Sequence, residues 1–216
     1  MTKKYKLTDN TITHYDKTLH QIQALRSFGN VAKGDLGGYV EKEGNLSHEG
    51  NAWVSGNAWV YGNAWVFGNA DVSENACVYG NAGVYGNAEV FGNAWVYGNA
   101  EVYGNACVYG NAGVSGNAEV FGDADVYGNA EVYGNAWVFG DARVSKGKCT
   151  EKIVNFIGLE FNITAYNDII KVGCKTHTCA EWTNIIANRE YESLCEDYDK
   201  IQAYVKLLLI DKGHLL

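Results

Sequence analysis

The chain has 216 residues with 26 glycines and no proline, and 47% of its residues are hydrophobic while 19% are charged. This composition excludes a disordered acidic chain, and no stretch reaches the roughly 18 uninterrupted apolar residues of a membrane span. The N-terminus lacks the apolar run of a secretory signal. The six cysteines are scattered along the chain, which is typical of reduced thiols. We therefore expect a cytoplasmic protein that does not contact a membrane.

The net charge of −8 comes from the middle of the chain. Residues 50–145 carry nine acidic residues and one base, whereas the 16 acids and 16 bases elsewhere cancel. A basic surface that could neutralise phosphates is therefore not expected. We predict no direct binding to DNA or RNA.

Residues 1–49 precede the repeats and are predicted to form an N-terminal β cap. Short strands are expected at residues 4–9 and 19–25, and residues 34–40 and 44–49 read as imperfect first coils. Because the open strand edge at the end of a solenoid needs covering, capping is the expected role of this segment.

Residues 50–145 repeat the unit Gly-Asn-Ala-x-Val-x sixteen times without an insertion, with Glu74 in place of Gly and Asp123 and Asp141 in place of Asn. A period of six with a Gly in all but one unit cannot be helical. Alternation instead places Ala and Val on one side of a short strand and the x residues on the other. Gly accepts positive φ freely and Asn tolerates it, so Gly-Asn is predicted to form each corner. Stacked strands and corners make a parallel β-solenoid.

This repeat resembles the hexapeptide-repeat proteins. The resemblance implies a left-handed, three-sided parallel β-helix with about 18 residues per coil, and sixteen units would make about five coils. The left hand follows from the resemblance alone, because the general rule for crossover connections favours the right hand.

Every third unit should lie on the same side of the rod, and the residue after each Val should point outward. The first face then carries Ser55, Ser73, Phe91, Tyr109, Tyr127 and Ser145, the second face Tyr61, Tyr79, Tyr97, Ser115 and Tyr133, and the third face Phe67, Tyr85, Tyr103, Phe121 and Phe139. Between Ala and Val, Trp53, Trp59 and Trp65 are expected to place one indole on each side of the first coil.

The outward rings either stack along each face and stabilise the rod or form an interface with another molecule. The third face is aromatic at every rung, which favours an interface and a homo-oligomer. A trimer is the first expectation, because the proteins that the repeat resembles often pack three prisms side by side, and a dimer is the second. The predicted interface residues are Phe67, Tyr85, Tyr103, Phe121, Phe139, Tyr61, Tyr79, Tyr97, Tyr133 and Trp95.

Residues 146–216 change character and are predicted to form a small α+β domain that caps the rod or mediates oligomerisation. Two or three strands are expected between residues 153 and 174, and a short helix at 180–187. A second helix is expected at about 191–211, with Gly213 as its stop. Its apolar stripe would comprise Leu194, Tyr198, Ile201, Val205 and Leu208.

Catalysis and metal binding are not expected. The best-known activity of the hexapeptide-repeat family is acyl transfer, which the resemblance implies needs a histidine base and a loop over the acyl-CoA. Here all five histidines lie outside the repeats, which no loop interrupts, so we predict no catalytic residue and no cofactor. Cys174, His177 and Cys179 have a ligand-like spacing, but a structural zinc site wants four ligands. Only Cys149 and Cys195 remain as candidates, so no metal site is expected.

Segments in both caps resemble a family of hexapeptide-repeat proteins encoded by bacteriophages and prophages. The matching segments are residues 5–9 (YKLTD), 22–25 (IQAL), 34–40 (GDLGGYV) and 45–48 (NLSH), with Gly173-Cys174 and Glu181-Trp182 near the end. This resemblance implies a viral accessory protein made in the cytoplasm of the bacterial host.

Such accessory proteins often disable host antiviral defence, either by gripping a defence protein or by sequestering a nucleotide signal. We expect a non-catalytic inhibitor of this kind, and a protein partner is favoured because the acidic body opposes phosphate binding. A virion component or polymer-forming scaffold is the alternative. A DNA mimic is less favoured, because a duplex carries about one charge per 1.7 Å, whereas a net charge of −8 is spread here over three aromatic faces.

Overall fold

Each six-residue unit folds into a two-residue strand at its x-Val pair, followed by a turn at Gly-Asn. The computed structural model describes residues 3–150, 153–156, 162–191 and 198–214. In this part of the chain the protein is mainly β, with a parallel β-solenoid between an N-terminal hairpin and a small α+β region. The solenoid makes about six turns of 18 residues. The predicted three-sided parallel β-helix is confirmed, and its left hand stays a prediction.

Three sheets form the sides of the solenoid, and each is named here by the face whose rings it carries. The first-face strands are Trp53–Val54, Asp71–Val72, Glu89–Val90, Cys107–Val108, Asp125–Val126 and Arg143–Val144. The second-face strands are Leu36–Val40, Trp59–Val60, Cys77–Val78, Trp95–Val96, Gly113–Val114, Glu131–Val132 and Lys148–Cys149. The third-face strands are Trp65–Val66, Gly83–Val84, Glu101–Val102, Glu119–Val120 and Trp137–Val138.

Small aliphatic side chains fill the inside of the coil, as the alternation predicts. The Ala and Val of all sixteen units are at most 1% exposed. Parallel backbone hydrogen bonds join each turn to the next, for example from Trp59 N to Ala76 O at 2.9 Å and from Tyr61 N to Val78 O at 3.1 Å. Equivalent positions of successive turns therefore stack on each other along the rod, and the Ala and Val of one repeat lie on those of the next.

Glycine provides the left-handed corner in fifteen of the sixteen units. The repeat glycines have φ between 61° and 76°, and Glu74, which replaces a glycine, has φ 59°. The turn falls at Gly-Asn as predicted, but Asn does not share the positive φ, because among the described residues the other non-glycine positive φ angles belong to Tyr15, Asn167 and Arg189. The Asn side chains instead bond to each other from turn to turn.

The N-terminal segment covers the first turn. Strands Tyr5–His14 and Lys17–Ala24 form an antiparallel hairpin, and the second of them pairs with Leu36–Val40. That strand is parallel to Trp59–Val60, and Leu46 bridges to Val66, so imperfect first coils are present as predicted. A short 3-10 helix, Glu43–Asn45, links them. Both hairpin strands are longer than the predicted segments.

One of the three indoles expected on the outside is covered by this cap. Trp53 is 6% exposed, and its ring meets Phe28 at 5.3 Å and Tyr5 at 6.4 Å. The Tyr5 hydroxyl lies 2.8 Å from the carbonyl oxygen of Glu43 and 2.9 Å from that of Leu46, and these two acceptors share its single proton. The first face is therefore closed at its N-terminal end.

The C-terminal region is an antiparallel meander covered by helices. Its described elements are the strands Val154–Phe156, Ile163–Tyr166, Ile169–Val172 and Lys175–Thr178 and the helices Cys179–Ala187 and Tyr198–Asp211. Three strands fall in the predicted range and a fourth follows it. The Thr178 hydroxyl and the Glu181 carboxylate cap the first helix reciprocally. The Trp182 indole donates to the carbonyl of Ile170 at 2.7 Å, which fixes this helix on the sheet.

The second helix buries the predicted stripe where the structure describes it. Tyr198, Ile201, Val205 and Leu208 are all buried, and Gly213 ends the helix with φ 74°. Leu194 and the predicted helical residues 192–197 lie outside the described residues. Neither described helix combines the length and apolar character needed to cross a bilayer.

Candidate binding surface

The five rings of the third face form one continuous stack. The centroids are 4.7 Å apart for Phe67 and Tyr85, 4.9 Å for Tyr85 and Tyr103, 5.0 Å for Tyr103 and Phe121, and 5.6 Å for Phe121 and Phe139. Neighbouring planes lie within 17° of parallel. Each ring covers the flat sides of its neighbours and is half-buried as a result. The stack presents a strip of ring edges to the outside.

Carboxylates fix the hydroxyls of this strip. Tyr85 donates to Glu101 at 2.7 Å, and Tyr103 donates to Glu119 at 2.8 Å. Burial and the hydrogen bond to Glu119 raise the pKa of Tyr103 to about 12, and burial with the bond to Glu101 raises the pKa of Tyr85 as well. Both hydroxyls therefore remain donors at neutral pH, and the two carboxylates give the third face a fixed negative charge.

Two indoles extend the third face. Trp65 stacks on Phe67 at 4.4 Å and is 43% exposed, and Trp137 meets the edge of Phe121 at 6.5 Å and is 40% exposed. The aromatic surface therefore runs over all five turns of this face.

The second face has a stack that stops in the middle. Tyr61, Tyr79 and Tyr97 lie 5.0 Å apart in succession, with planes within 3° of parallel. The next rung carries Ser115, and the ring of Tyr133 follows one rung later. The structure thus brings the first three predicted residues of this face into contact and leaves Tyr133 separated from them.

Two grooves flank Trp95, which at 53% exposed is the most exposed of the tryptophans. The groove towards the N-terminus has a volume of about 470 Å³, and the groove towards the C-terminus about 650 Å³. The first is lined by His14, Tyr15, Asn57, Trp59, Tyr61, Asn75, Cys77, Tyr79 and Trp95. The second is lined by Asn93, Trp95, Tyr97, Asn111, Ala112, Gly113, Ser115, Glu131, Tyr133 and Lys148.

The first face is partly covered by the rest of the chain. Phe91, Tyr109 and Tyr127 stack at 5.0 and 5.2 Å. Lys171 of the C-terminal region donates to the Tyr127 hydroxyl at 3.0 Å and lies 5.3 Å from the centre of its ring. Because Trp53 is buried at the other end, the second and third faces are the open ones.

The histidines lie in the caps and pack against aromatic rings. His14 meets the ring of Trp59 at 4.7 Å, and His48 stacks on Tyr5 at 4.5 Å. Burial lowers the pKa of His48 against the opposing effect of Glu43. His48 supports the N-terminal hairpin, whereas His14 also contacts the Tyr61 ring at 5.5 Å and lines the N-terminal groove of the second face.

The motif Cys174-x-x-His177-x-Cys179 is not assembled as one cluster. Cys174 is exposed, and the ring of His177 meets Trp182 at 5.4 Å. Cys179 lies instead beside Asp168 and His214, with one ligand atom from each of the three residues within 4.8 Å of the others.

Cys179 carries its proton in this cluster. Burial and a hydrogen bond to Asp168 raise the pKa of Cys179 to about 11. His214 Nε2 lies 3.1 Å from an Asp168 carboxylate oxygen, and this contact explains their proximity. Of the further candidate ligands, Cys149 is buried in the core and Cys195 lies outside the described residues.

Sequence reasoning found the aromatic residues but missed the grooves between them. The signal for the larger groove was present, because Gly113 and Ser115 are both small in the middle of an aromatic face. Comparison of the chain with protein-family models and with curated proteins gives no match. What this surface can bind follows from its own rings, carboxylates and grooves.

Proposed function

We propose that this protein is a non-catalytic binding protein whose third face is its main contact surface. The observation that carries the proposal is the unbroken stack of five rings with an exposed indole near each end. Each ring is held by its neighbours, so little side-chain freedom is lost when a partner binds. Exposed aromatic patches of this extent are typical of interfaces.

The first partner of this face is a second copy of the chain. Flat, rigid sides favour packing of prism against prism, with a homotrimer as the first arrangement and a homodimer as the second. The coil is taken to be left-handed, as in the hexapeptide-repeat proteins that the repeat resembles.

The second partner is a host protein. The resemblance of the caps to phage-encoded proteins supports an accessory role in the cytoplasm of an infected bacterium, as an inhibitor that grips a component of an antiviral defence system. Glu101, Glu119 and the −8 charge of residues 50–145 favour a partner with a basic surface, because complementary charge accelerates and selects association. Sequestering of a nucleotide signal is the other form of inhibition.

A virion or polymer-forming scaffold is the alternative, and the N-terminal cap speaks against it. The hairpin Tyr5–His14 and Lys17–Ala24 lies over the first turn, so the parallel strand edge there is not free to add another rod. End-to-end growth would require this hairpin to detach.

Replacement of Tyr103 by Lys is expected to dissociate the oligomer without unfolding the rod. Tyr103 is at the centre of the third-face stack, and a lysine there places a charge in the proposed contact. Light scattering after size exclusion should show three times the 23.6 kDa chain mass for the wild-type protein and a monomer for Tyr103→Lys. Tyr109→Lys is the matched control, because Tyr109 has the same place in the first-face stack, and its mass should stay that of the wild type.

An unchanged mass for Tyr103→Lys would place the subunit contact on another face. Fibres that grow with concentration would favour the scaffold.

The inhibitor function is tested in bacteria that carry individual defence systems. Expression of the wild-type chain should restore phage plating against at least one of them, and the defence protein should co-purify with the chain. Tyr103→Lys and Tyr109→Lys, compared at equal expression, show whether the third face is required. Restored plating by a chain that co-purifies with no defence protein would overturn the protein-partner form of the proposal.

A further inference from the structure

The second face lacks one ring from an otherwise regular ladder. The rungs of Tyr61, Tyr79, Tyr97 and Tyr133 each carry a ring after Val, and the rung between the last two carries Ser115. Because successive rings are 5.0 Å apart, the rings of Tyr97 and Tyr133 are separated by about 10 Å, two steps of the strand spacing. A planar ring placed midway would lie about 5 Å from each, which is the separation of stacked aromatic pairs.

The outward position next to this gap, that of Gly113, is open as well. A Cβ added to Gly113 would meet no atom within 4 Å, whereas at Gly83, the equivalent glycine of the third face, it would meet Trp65 Nε1 at 2.9 Å. The indole of Trp65 covers Gly83, and nothing in the described part of the chain covers Gly113 in this way. The rung of Gly113 and Ser115 therefore leaves a slot in the surface with an aromatic ring on either side.

The slot continues into the groove of about 650 Å³. This volume suits a molecule larger than one ring, within the range of small-molecule sites. Trp95 forms a side wall, and Glu131 and Lys148, which are paired in register on adjacent strands, lie at the C-terminal end. The site thus offers two stacking surfaces, one carboxylate acceptor and one ammonium group.

We propose that this slot binds a purine nucleotide, with the base taking the place of the missing ring between Tyr97 and Tyr133. Every nucleobase has a flat aromatic face that can stack on a tyrosine ring. Glu131 accepts from amino or hydroxyl groups of the ligand, and Lys148 contacts its phosphate. With one cation and one carboxylate at the site, a single phosphate is favoured over a triphosphate.

This inference rests on the proposal that the protein acts by binding, but it does not depend on a protein partner or on the oligomer. The slot is built from one chain and lies on the second face. A monomeric variant such as Tyr103→Lys should therefore bind the nucleotide as the wild-type chain does.

Calorimetric titration with adenosine 5′-monophosphate (AMP) tests the site. The full chain is expected to bind one AMP per chain with a dissociation constant below about 1 mM, and ribose 5-phosphate should not bind. In proton NMR, the H2 and H8 signals of the bound base should move upfield, because both of its sides face tyrosine rings.

Ser115→Tyr is the decisive variant, since it fills the slot with the missing ring of the ladder. It should abolish AMP binding while it raises the melting temperature, so that lost binding cannot be confused with unfolding. Ser73→Tyr is the matched control, because it adds a ring below Phe91 on the first face, and AMP binding should be unchanged. Tyr133→Ala, which removes one stacking partner, should weaken binding about tenfold or more.

Lys148→Gln separates the base from the phosphate. It should weaken the binding of AMP to that of adenosine and leave adenosine unaffected. The proposal is overturned if the wild-type chain does not bind AMP, if ribose 5-phosphate binds as tightly as AMP, or if Ser115→Tyr binds like the wild type. A loss of oligomer mass in Ser115→Tyr would show that the slot holds a ring of a second copy, which would also overturn it. The mass of Tyr103→Lys tests the oligomer, and the AMP titration tests the slot. Either proposal can therefore be overturned while the other holds.

Discussion

Lys4 is a buried cation in the N-terminal cap. Its side chain is fully buried, and its ammonium group donates to the carbonyl of Ala52 at 2.7 Å and lies 5.0 Å from the ring centre of Phe28. Ala52 begins the first regular turn, so Lys4 satisfies a carbonyl at the start of the solenoid. Burial, with a smaller contribution from Arg26, lowers the pKa of Lys4 to about 8.

The contribution of Lys4 to stability is expected to rise with pH between about 8 and 10. Over this range the folded chain loses the Lys4 proton while the unfolded chain, with a pKa of 10.5 for this group, still binds it, so this contribution to the free energy of unfolding increases. The buried thiols act in the opposite direction, because burial raises the pKa of Cys77 and Cys179 to about 11 and the unfolded chain loses these protons first. The Lys4 contribution is therefore the difference between the wild-type chain and Lys4→Met in urea denaturation followed by tryptophan fluorescence, and it should grow by about 2 kcal/mol from pH 7.5 to 9.5.

Lys6→Met, at an exposed position of the same hairpin, should follow the wild-type profile. A difference between the wild-type chain and Lys4→Met that does not change with pH would show that the Lys4 ammonium is not desolvated. Above pH 10 the tyrosines lower the stability of both chains further, because burial raises the pKa of Tyr103 to about 12 and the unfolded chain loses those protons first.

Residue preferences alone predicted the glycine corner but not the role of Asn. Gly at positive φ follows from the absence of a Cβ. The tolerance of Asn for the same conformation is also real, yet the chain does not use it. What selects Asn is a contact with another turn, 18 residues away, and a local propensity carries no information about that contact.

At the scale of elements, the Asn side chains form three ladders that run parallel to the rod. Each amide donates to the amide oxygen one turn later, from Asn51 to Asn69 at 3.2 Å and from Asn99 to Asn117 at 2.9 Å, for example. An amide can accept from below and donate above, whereas a carboxylate can only accept. Asp123, which accepts from Asn105 at 2.8 Å, therefore ends one ladder, and Asp141 follows it one turn later.

Asp123→Asn is expected to stabilise the rod by about 0.5–1 kcal/mol. It restores a donor towards Asp141 and removes the repulsion of two carboxylates one strand spacing apart. Thermal unfolding at low salt should show a higher melting temperature. Asp123→Ala removes the same repulsion but also the acceptor of Asn105, so it should be less stable than Asp123→Asn; equal melting temperatures would exclude a contribution from the ladder.

The caps were less predictable than the repeats because their strands are held by pairing with neighbouring strands, which leaves no apolar pattern in the sequence. Strand Tyr5–His14 runs beyond the predicted residue 9 through exposed positions, where pairing with Lys17–Ala24 holds the backbone without an apolar pattern. Strand Lys175–Thr178 has no alternation in its burial either. It forms because Ile169–Val172 offers it a partner.

At the scale of the whole molecule, one narrow core holds every turn to the next. Val102 has Val84 below it and Val120 above it in register, and all three are fully buried. In a solenoid each turn gains its stability from its neighbours. A defect in the middle therefore affects both halves.

Val102→Asp is expected to unfold the rod, because a carboxylate in this core has no partner and remains desolvated. Circular dichroism should show the loss of most of the β signal at 25 °C. Val102→Ala leaves the site apolar and should cost only about 2 kcal/mol, which separates the effect of charge from that of lost packing. A folded Val102→Asp chain would contradict the inward orientation of the valines.

The repeat predicted the architecture because one short pattern, satisfied sixteen times, admits a single arrangement of inside and outside. It also placed Tyr97, Ser115 and Tyr133 on one face. The small residues that form the slot could be seen in the sequence, but its depth could not, because the depth depends on which indole leans over which glycine. Trp65 covers Gly83, whereas Gly113 remains open.

Because each turn comprises 18 residues, recombination within the gene can change the length of the rod in steps of one turn. Loss or gain of 18 residues removes or adds one turn, which is about 4.8 Å of length. Every remaining side chain then keeps its original direction. Loss of six residues turns everything downstream by a third of a revolution, which would carry Tyr133 and Lys148 to a neighbouring side of the prism. Relatives with solenoids of different length should therefore differ by whole turns of 18 residues wherever the slot is retained.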